Sequence, residues 1–282
     1  MQRAIKRYWP LFVLPTMLSY VIGFGAPFVM GLGLSFCDFT TLSDAVFVGW
    51  SNYIKAFSDA SGEFVHALWY TALFAAVSTV IVNVLALGAA LLLTRGFRGT
   101  DLFRTVFFLP NLIGGIVLGW LWQVLLNGVL SRWGVTLVTN EWYGFWGLML
   151  VVCWQQLGYM MIIYISGLTT LPDDVLEAAA IDGASANQTF WHVKLPMLMP
   201  SVTICTFLTL VNGFKLFDQN LALTNGMPGN RSQLLALNIY STFYGRTGWA
   251  GAGQAKAVVF CAIVVTIALA QLYLTRSKEA HA

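Results

Sequence analysis

Long apolar runs broken by short charged ones set the rhythm of this chain. Six windows hold no Asp, Glu, Lys or Arg: Tyr8–Cys37, Phe64–Thr94, Thr105–Ser131, Trp142–Pro172, Leu195–Phe214 and Ala257–Thr275. Each is close to the roughly 20 residues a helix needs to cross a hydrocarbon core about 30 Å thick. An ionisable group at mid-bilayer costs roughly 2.5–3.5 kcal/mol on insertion scales, so charge-free length locates spans better than propensity does. The pattern predicts an all-α integral membrane protein, one transmembrane domain over 1–282 with six helices at about 10–35, 65–94, 105–127, 145–171, 198–222 and 255–275.

One stretch departs from this rhythm. VLEAAAIDGASANQTFWHVKLPMLMP, Val175–Pro200, follows the fourth window and carries acid, three alanines and glycine in place of lipid-facing sequence. Pro172 ends the window. Asp174 and Glu177 stand at capping-box spacing, and Val175–Ile181 is a helix former stopped near Gly183. Ser185 and Gln188 form a second box, which starts a helix expected to run to about Lys194, where Leu195-Pro196 leads into the fifth span. The prediction is two short helices hinged at Gly183. A plain connecting loop has no need of two capped helices, and the smooth face of Ala178, Ala179 and Ala180 suits close approach by another protein, as a short helix laid in a groove.

Composition agrees with the windows: 58% of the 282 residues are hydrophobic and 10% charged, far from a soluble average. Basic residues orient the spans. Arg3, Lys6 and Arg7 precede the first, Arg95, Arg98 and Arg104 lie between the second and third, Lys194 precedes the fifth, and Arg276 and Lys278 follow the last. The other side has Lys55, Arg132, Arg231 and Arg246, with Lys256 at its edge. This bias places both termini, and the Val175–Pro200 segment, in the cytoplasm. The first apolar window is too long for the h-region of a signal peptide and no A-x-A-like site follows it, so it is expected to remain as a span.

Several chemistries are excluded. Gly248–Lys256, GWAGAGQAK, has the glycines of a nucleotide loop, but Gln254 and Ala255 separate Gly253 from Lys256 where a P-loop requires Gly-Lys-Ser/Thr. His66, His192 and His281 are scattered, and Cys37, Cys153, Cys205 and Cys261 show no metal or redox spacing, so no metal site, cofactor or catalytic constellation is expected in this chain. A self-sufficient secondary transporter, the rival class, is expected to show an inverted repeat and intramembrane ion-coupling carboxylates. No obvious repeat is present, and the one candidate carboxylate is Asp218 near a helix end.

Polar residues inside spans are expensive unless they face a cavity or find partners. The fourth span has Gln155, Gln156 and Tyr159, with the tyrosine a turn from both amides. The fifth has Thr209, Asn212 and Lys215 at intervals of three, with Gln219 a turn beyond. Amide, hydroxyl and aromatic groups suit sugar hydroxyls and ring faces. They also suit hydrogen bonds between helices, and for any one residue the two uses are open. Lys215 and Asp218 are spaced to pair with each other. Trp122 and Gln123 on the third span are further, weaker candidates.

EAAAIDGASANQTFWHVKLPML resembles the EAA loop of the inner-membrane permeases of binding-protein-dependent ABC importers, with its Glu-Ala-Ala, a glycine a few residues on, and a Leu-Pro exit. FVGWSNYIKAF (Phe47–Phe57), FRTVFFLPNLIGGIVLGWLWQVLLN (Phe103–Asn127), GLTTLPDDVLEAAAIDGAS (Gly167–Ser185) and FKLFDQNLALTNGMPGNRS (Phe214–Ser232) resemble the carbohydrate-uptake, maltose-type branch. The chain departs from that branch at Gly226-Met227-Pro228, where Gly-Gly-Pro is common. The resemblance implies a permease subunit in the bacterial plasma membrane, surrounded by lipid, with no nucleic-acid partner. Its implied partners are a second, non-identical permease subunit, a dimeric cytoplasmic ATPase that holds the ATP and Mg, and an extracytoplasmic binding protein that delivers a sugar. It implies that Glu177, Ala178, Ala179, Asp182 and Gly183 dock into the ATPase and transmit its closure. Tyr159 and Asn212 match positions of the family's translocation cavity, as do Gln156 and Thr209.

Overall fold

The computed structural model describes Trp9, 13–59, 61–96 and 98–279, with the backbone alone at 272 and 274–279. Arg3, Lys6, Arg7, the start of the first window at Tyr8, and His281 lie outside the described residues, as do the side chains of Arg276 and Lys278. In chain order the elements are α1 (Val13–Leu34), the antiparallel two-residue strands β1 (Cys37–Asp38) and β2 (Val46–Phe47), α2 (Ser51–Phe57) and α3 (Glu63–Leu93). Then follow α4 (Thr100–Phe108), α5 (Gly115–Leu130), α6 (Glu141–Thr169), α7 (Asp173–Ile181) and α8 (Ala186–Met197). The last four are α9 (Met199–Lys215), α10 (Asp218–Leu223), α11 (Leu235–Gly245) and α12 (Ala250–Glu279).

α1, α3, α6 and the Ala250–Gln271 part of α12 are continuous and apolar enough to cross a membrane. Two bent pairs complete six spans when each is counted as one: Thr100–Leu112 with Gly115–Trp133, bent by 101°, and Ala186–Met197 with Met199–Lys215, bent by 69°. The expected third helix over 105–127 is thus broken. Pro110 sits in a 3₁₀ turn, Leu109–Leu112, and Ile113 and Gly114 take extended ψ values of 130° and 139° before α5 begins. The expected fifth span over 198–222 breaks too: Leu216 is extended at ψ 119° and α10 starts afresh at Asp218. Lys215 and Gln219 therefore lie on different helices, contrary to the even spacing in sequence. The last helix starts at Ala250, before the charge-free window, and takes in Lys256. That lysine is fully buried, but its Nζ donates to Thr242 Oγ1 at 2.8 Å and lies 5.1 Å from the Phe64 ring centre, so its charge is partnered.

The described residues fall into two compact units. The first joins the segment ending at Phe64 to Ile239–Cys261. Here the Asn52 amide donates to Ser35 O at 3.1 Å and Cys37 O at 2.8 Å, and the Tyr53 and Ser35 hydroxyls share a 2.7 Å bond, so the Asn-Tyr pair clamps the exit of α1. Arg246 bridges Asp59 at 2.9 Å and Glu63. Burial pushes the Asp59 carboxyl up, but bonds from Ser61 and Arg246 outweigh it and hold the group below its ordinary value. Gly251 and Gly253 of the rejected nucleotide-loop match lie inside α12, where Gly251 packs against Cys37 O and Asn52.

The second unit comprises Val65–Asn238 and the described residues from Ala262. α6 is its axis: 61% of its most apolar window is buried, against 28% for α3. Tyr70, Phe74, Leu118, Phe145, Leu148, Met149 and Leu223 form one core cluster, and Val82, Ala86, Met160, Met161, Tyr164 and Cys205 a second. Small residues let backbones approach, as between membrane helices generally. A Cβ at Gly158 would stand 1.9 Å from Phe107 O, so the α4 backbone lies directly on α6.

Candidate functional site

The two breaks meet. Because Ile113 is extended, its carbonyl is not used in a helix, and Gln155 Nε2 donates to it at 3.2 Å from the middle of the 29-residue α6. Gln155 Oε1 in turn accepts from Gln219 Nε2 at 2.6 Å, which ties the start of α10 to the same point. α10 is brought there by Gly115 and Gly119, a G-x-x-x-G pair on α5. A Cβ on Gly119 would lie 2.8 Å from Ala222 Cβ and 3.1 Å from Gln219 O, so the helices touch at backbone distance. Gln123 Nε2, on the same helix, donates to Leu223 O at 3.0 Å and is a packing contact.

Around this junction is a cavity of about 360 Å³, lined by Asn111, Gln155, Gln156, Asn212, Lys215, Leu216, Phe217, Asp218 and Gln219. Five of the seven sequence candidates are together: Gln155, Gln156, Asn212, Lys215 and Gln219. The amide oxygen of Gln156 is buried and has no hydrogen-bond partner among the described residues, an acceptor left for a ligand or water. Lys215 and Asp218 line the wall without forming one of the ion pairs among the described residues. The surface is mostly amide, with one group of each charge.

Tyr159 and Thr209 are placed elsewhere. Thr209 is 1% exposed; its Oγ1 donates to Cys205 O at 2.8 Å and accepts from Asn83 Nδ2 at 2.9 Å. Tyr164 OH donates to Asn83 Oδ1 at 2.7 Å. Asn83 thereby joins α3 to both α6 and α9, and Thr209 belongs to that network. Tyr159 is 38% exposed on α6, on a face left open by the chain's own helices. Sequence reasoning missed Asn83 and Asn111, although a lone Asn within an apolar run signals a site with partners.

The departing segment folds as a separate arm. α7 opens at Pro172 with no side-chain cap, because proline holds the N-cap position and Asp173 and Asp174 fall inside the first turn; the expected Asp174–Glu177 box does not form, and the two acids act through the helix dipole. The second box forms as expected: Ser185 Oγ accepts from Gln188 N, and the Gln188 side chain accepts from Ser185 N at 2.8 Å. Between them Gly183 is left-handed, φ 76°, with Ala184 N donating to Ala179 O and Gly183 N to Ala180 O, a closed helix terminus. A π turn at Phe190–Lys194 lies within α8, and Leu198, between Pro196 and Pro200, marks the bend into α9. Glu177, Ala178, Asp182 and Gly183 are exposed, while Ala179 is half-buried. Ile181 is 85% exposed at the arm's tip, a large apolar residue the sequence reading treated only as a helix former.

Residues 82–278 match the family described as "Binding-protein-dependent transport system inner membrane component". The chain is 43% identical over 282 residues to the probable starch degradation products transport system permease protein AmyD of Thermoanaerobacterium thermosulfurigenes, covering 96% of this chain and 94% of that one. It is 29% identical over 289 residues to the multiple sugar-binding transport system permease protein MsmF of Streptococcus mutans, covering 99% of each. In fold it resembles a chain of the bacterial alginate ABC transporter solved in complex with an alginate pentasaccharide-bound periplasmic protein, with TM-score 0.82, 18% identity, and 99% and 98% of the two chains covered.

Proposed function

The chain belongs to the binding-protein-dependent transport system inner membrane component family, and from that premise we propose that it is one of two non-identical permease subunits of an ATP-driven sugar or oligosaccharide importer. Both termini and the α7–α8 arm face the cytoplasm of a bacterial cell, and ATP with its Mg is bound and hydrolysed on a separate dimeric ATPase. An extracytoplasmic binding protein delivers the solute to the other face.

The observation that carries this reading is the arm. It is a pair of helices whose joint is closed by the backbone bonds at Gly183 and the Ser185–Gln188 box, anchored by the bend at Leu198, and tipped by an exposed isoleucine beside Glu177, Ala178 and Asp182. A rigid lever with an apolar tip fits a groove on another protein. Closure of that partner pushes the arm, and Leu198 and the α9–α10 break pass the displacement to the cavity, a two-state coupling with no chemistry in this chain. Gln156 and Asn212 offer amides to sugar hydroxyls, and Gln155 and Gln219 hold the wall they share. Tyr159 faces the second permease subunit, where its ring closes the path from the side.

Two relatives named for the transport of starch degradation products and of multiple sugars support the solute class. Purification of this chain from native membranes with bound subunits retained tests it. An ATPase and a second permease in stoichiometric amounts are expected. Recovery of this chain alone or as a homo-oligomer, with full solute binding, contradicts the reading.

A further inference from the structure

A second cavity, about 570 Å³, lies where the last turns of α3 and α6 meet α7 and α8. It differs from the first in kind. Leu168, Leu176 and Phe190 give it an apolar wall, while Arg95 and Lys194 stand on the lining with Asn187 beside them, and no carboxylate is among the lining residues. Neither cation takes part in an ion pair among the described residues. Each flanks a charge-free stretch, Arg95 two residues beyond α3 and Lys194 directly before Leu195–Phe214. That is the depth at which headgroups meet hydrocarbon.

A sugar has no use for two cations beside five large apolar side chains, and a free anion has no use for the apolar wall. The combination fits an amphiphile with one negative charge at its head. We propose that this cavity binds a single anionic phospholipid, its phosphodiester between Arg95 and Lys194 and its first methylenes against Leu168, Leu176 and Phe190. The bound lipid spans from the ends of α3 and α6 to α7 and α8, so it holds the arm against the spans. Basic residues beside a membrane surface each favour an anionic headgroup by about fivefold, and here two of them line one cavity. The inference rests on the chain crossing a bilayer and not on the solute carried.

The test uses the assembled transporter, with this chain in its wild-type form, as R95Q/K194Q and as R95K/K194R. Each complex is exchanged into detergent with either phosphatidylglycerol or phosphatidylcholine of the same acyl chains, and lipid retained on the intact complex is counted by native mass spectrometry. Weighing intact complexes restricts the count to folded assemblies. Wild type is expected to retain phosphatidylglycerol over phosphatidylcholine, R95Q/K194Q to retain it about tenfold or more weakly, and R95K/K194R to keep it. Millimolar inorganic phosphate is expected to leave the retained lipid in place. Equal retention by wild type and R95Q/K194Q, or equal retention of the two lipids, overturns the proposal. So does displacement by inorganic phosphate, which marks a phosphate site. Loss of the ATPase from R95Q/K194Q with lipid retention unchanged also overturns it, because the cations then belong to that contact.

Discussion

Asn83 is the sharpest place to separate residues that join helices from residues that meet solute. Its side chain donates to Thr79 O at 2.7 Å within α3 and to Thr209 Oγ1 at 2.9 Å on α9, and accepts from Tyr164 OH at 2.7 Å on α6. Asn83→Ala deletes both interhelical bonds. Such bonds average about 0.6 kcal/mol and reach about 1.7, so the expected loss is roughly 1–3 kcal/mol. Thr209→Ala and Tyr164→Phe each delete one and are expected to cost about 0.6 kcal/mol apiece. The assay is equilibrium unfolding of the purified complex in mixed micelles, with an Asn83→Ala/Thr209→Ala cycle to isolate their coupling. Uptake is measured beside it. Loss of uptake in these variants is expected only in step with loss of stability, whereas Asn212→Ala is expected to lose uptake at near wild-type stability. Thr209→Ala abolishing uptake while stability stays unchanged refutes the reasoning and returns Thr209 to the solute path.

Gly158→Ala places a methyl 1.9 Å from Phe107 O, a backbone atom that cannot step aside, so the α4–α6 contact opens; assembled complex on a sizing column is expected to fall several-fold, and normal yield argues against that packing. On the arm, Gly183→Pro requires φ near −65° where the chain has 76° and removes the N–H that bonds Ala180 O, and Ile181→Glu puts a charge on the exposed tip; both are expected to uncouple ATP hydrolysis from uptake with the spans still inserted, as read by parallel ATPase and uptake assays. Cysteines at Leu42 and Ile181, exposed by 66% and 85%, are expected to label from opposite faces of the membrane, Leu42→Cys from outside. Labelling of both from one face removes the six-span topology.

The spans were legible because charge is so costly in a bilayer that its absence alone marks them. The breaks were not, for the same reason: Pro110, Gly114 and Leu198 carry no charge, and charge-free windows run straight across bends of 101° and 69°. Lys256 hid the true start of α12 in the opposite way: a charge-free window stops at any lysine, whereas this helix runs through Lys256, whose ammonium is partnered by Thr242 and the Phe64 ring. The second capping box was legible from Ser185 and Gln188, being local chemistry. The first misled because spacing alone does not show that Pro172 already holds the cap. Of the candidate site, Gln155, Gln156, Asn212, Lys215 and Gln219 share a cavity, but only the fold shows that Gln155 spends its amide on Ile113 O and Gln219. Thr209 has the same spacing as Asn212, yet faces Asn83, a partner 126 residues away that no local pattern reveals.

The central claim, a permease driven by a separate ATPase through the α7–α8 arm, is tested most directly by uptake into proteoliposomes. The chain is reconstituted with its copurifying subunits, the binding protein and labelled oligosaccharide are supplied outside, and ATP or a non-hydrolysable analogue is sealed inside. The account predicts uptake with ATP alone, lost without the binding protein and lost in Gly183→Pro while ATP is still hydrolysed. Uptake by this chain without ATP, driven by a proton or sodium gradient and indifferent to Gly183→Pro, contradicts it.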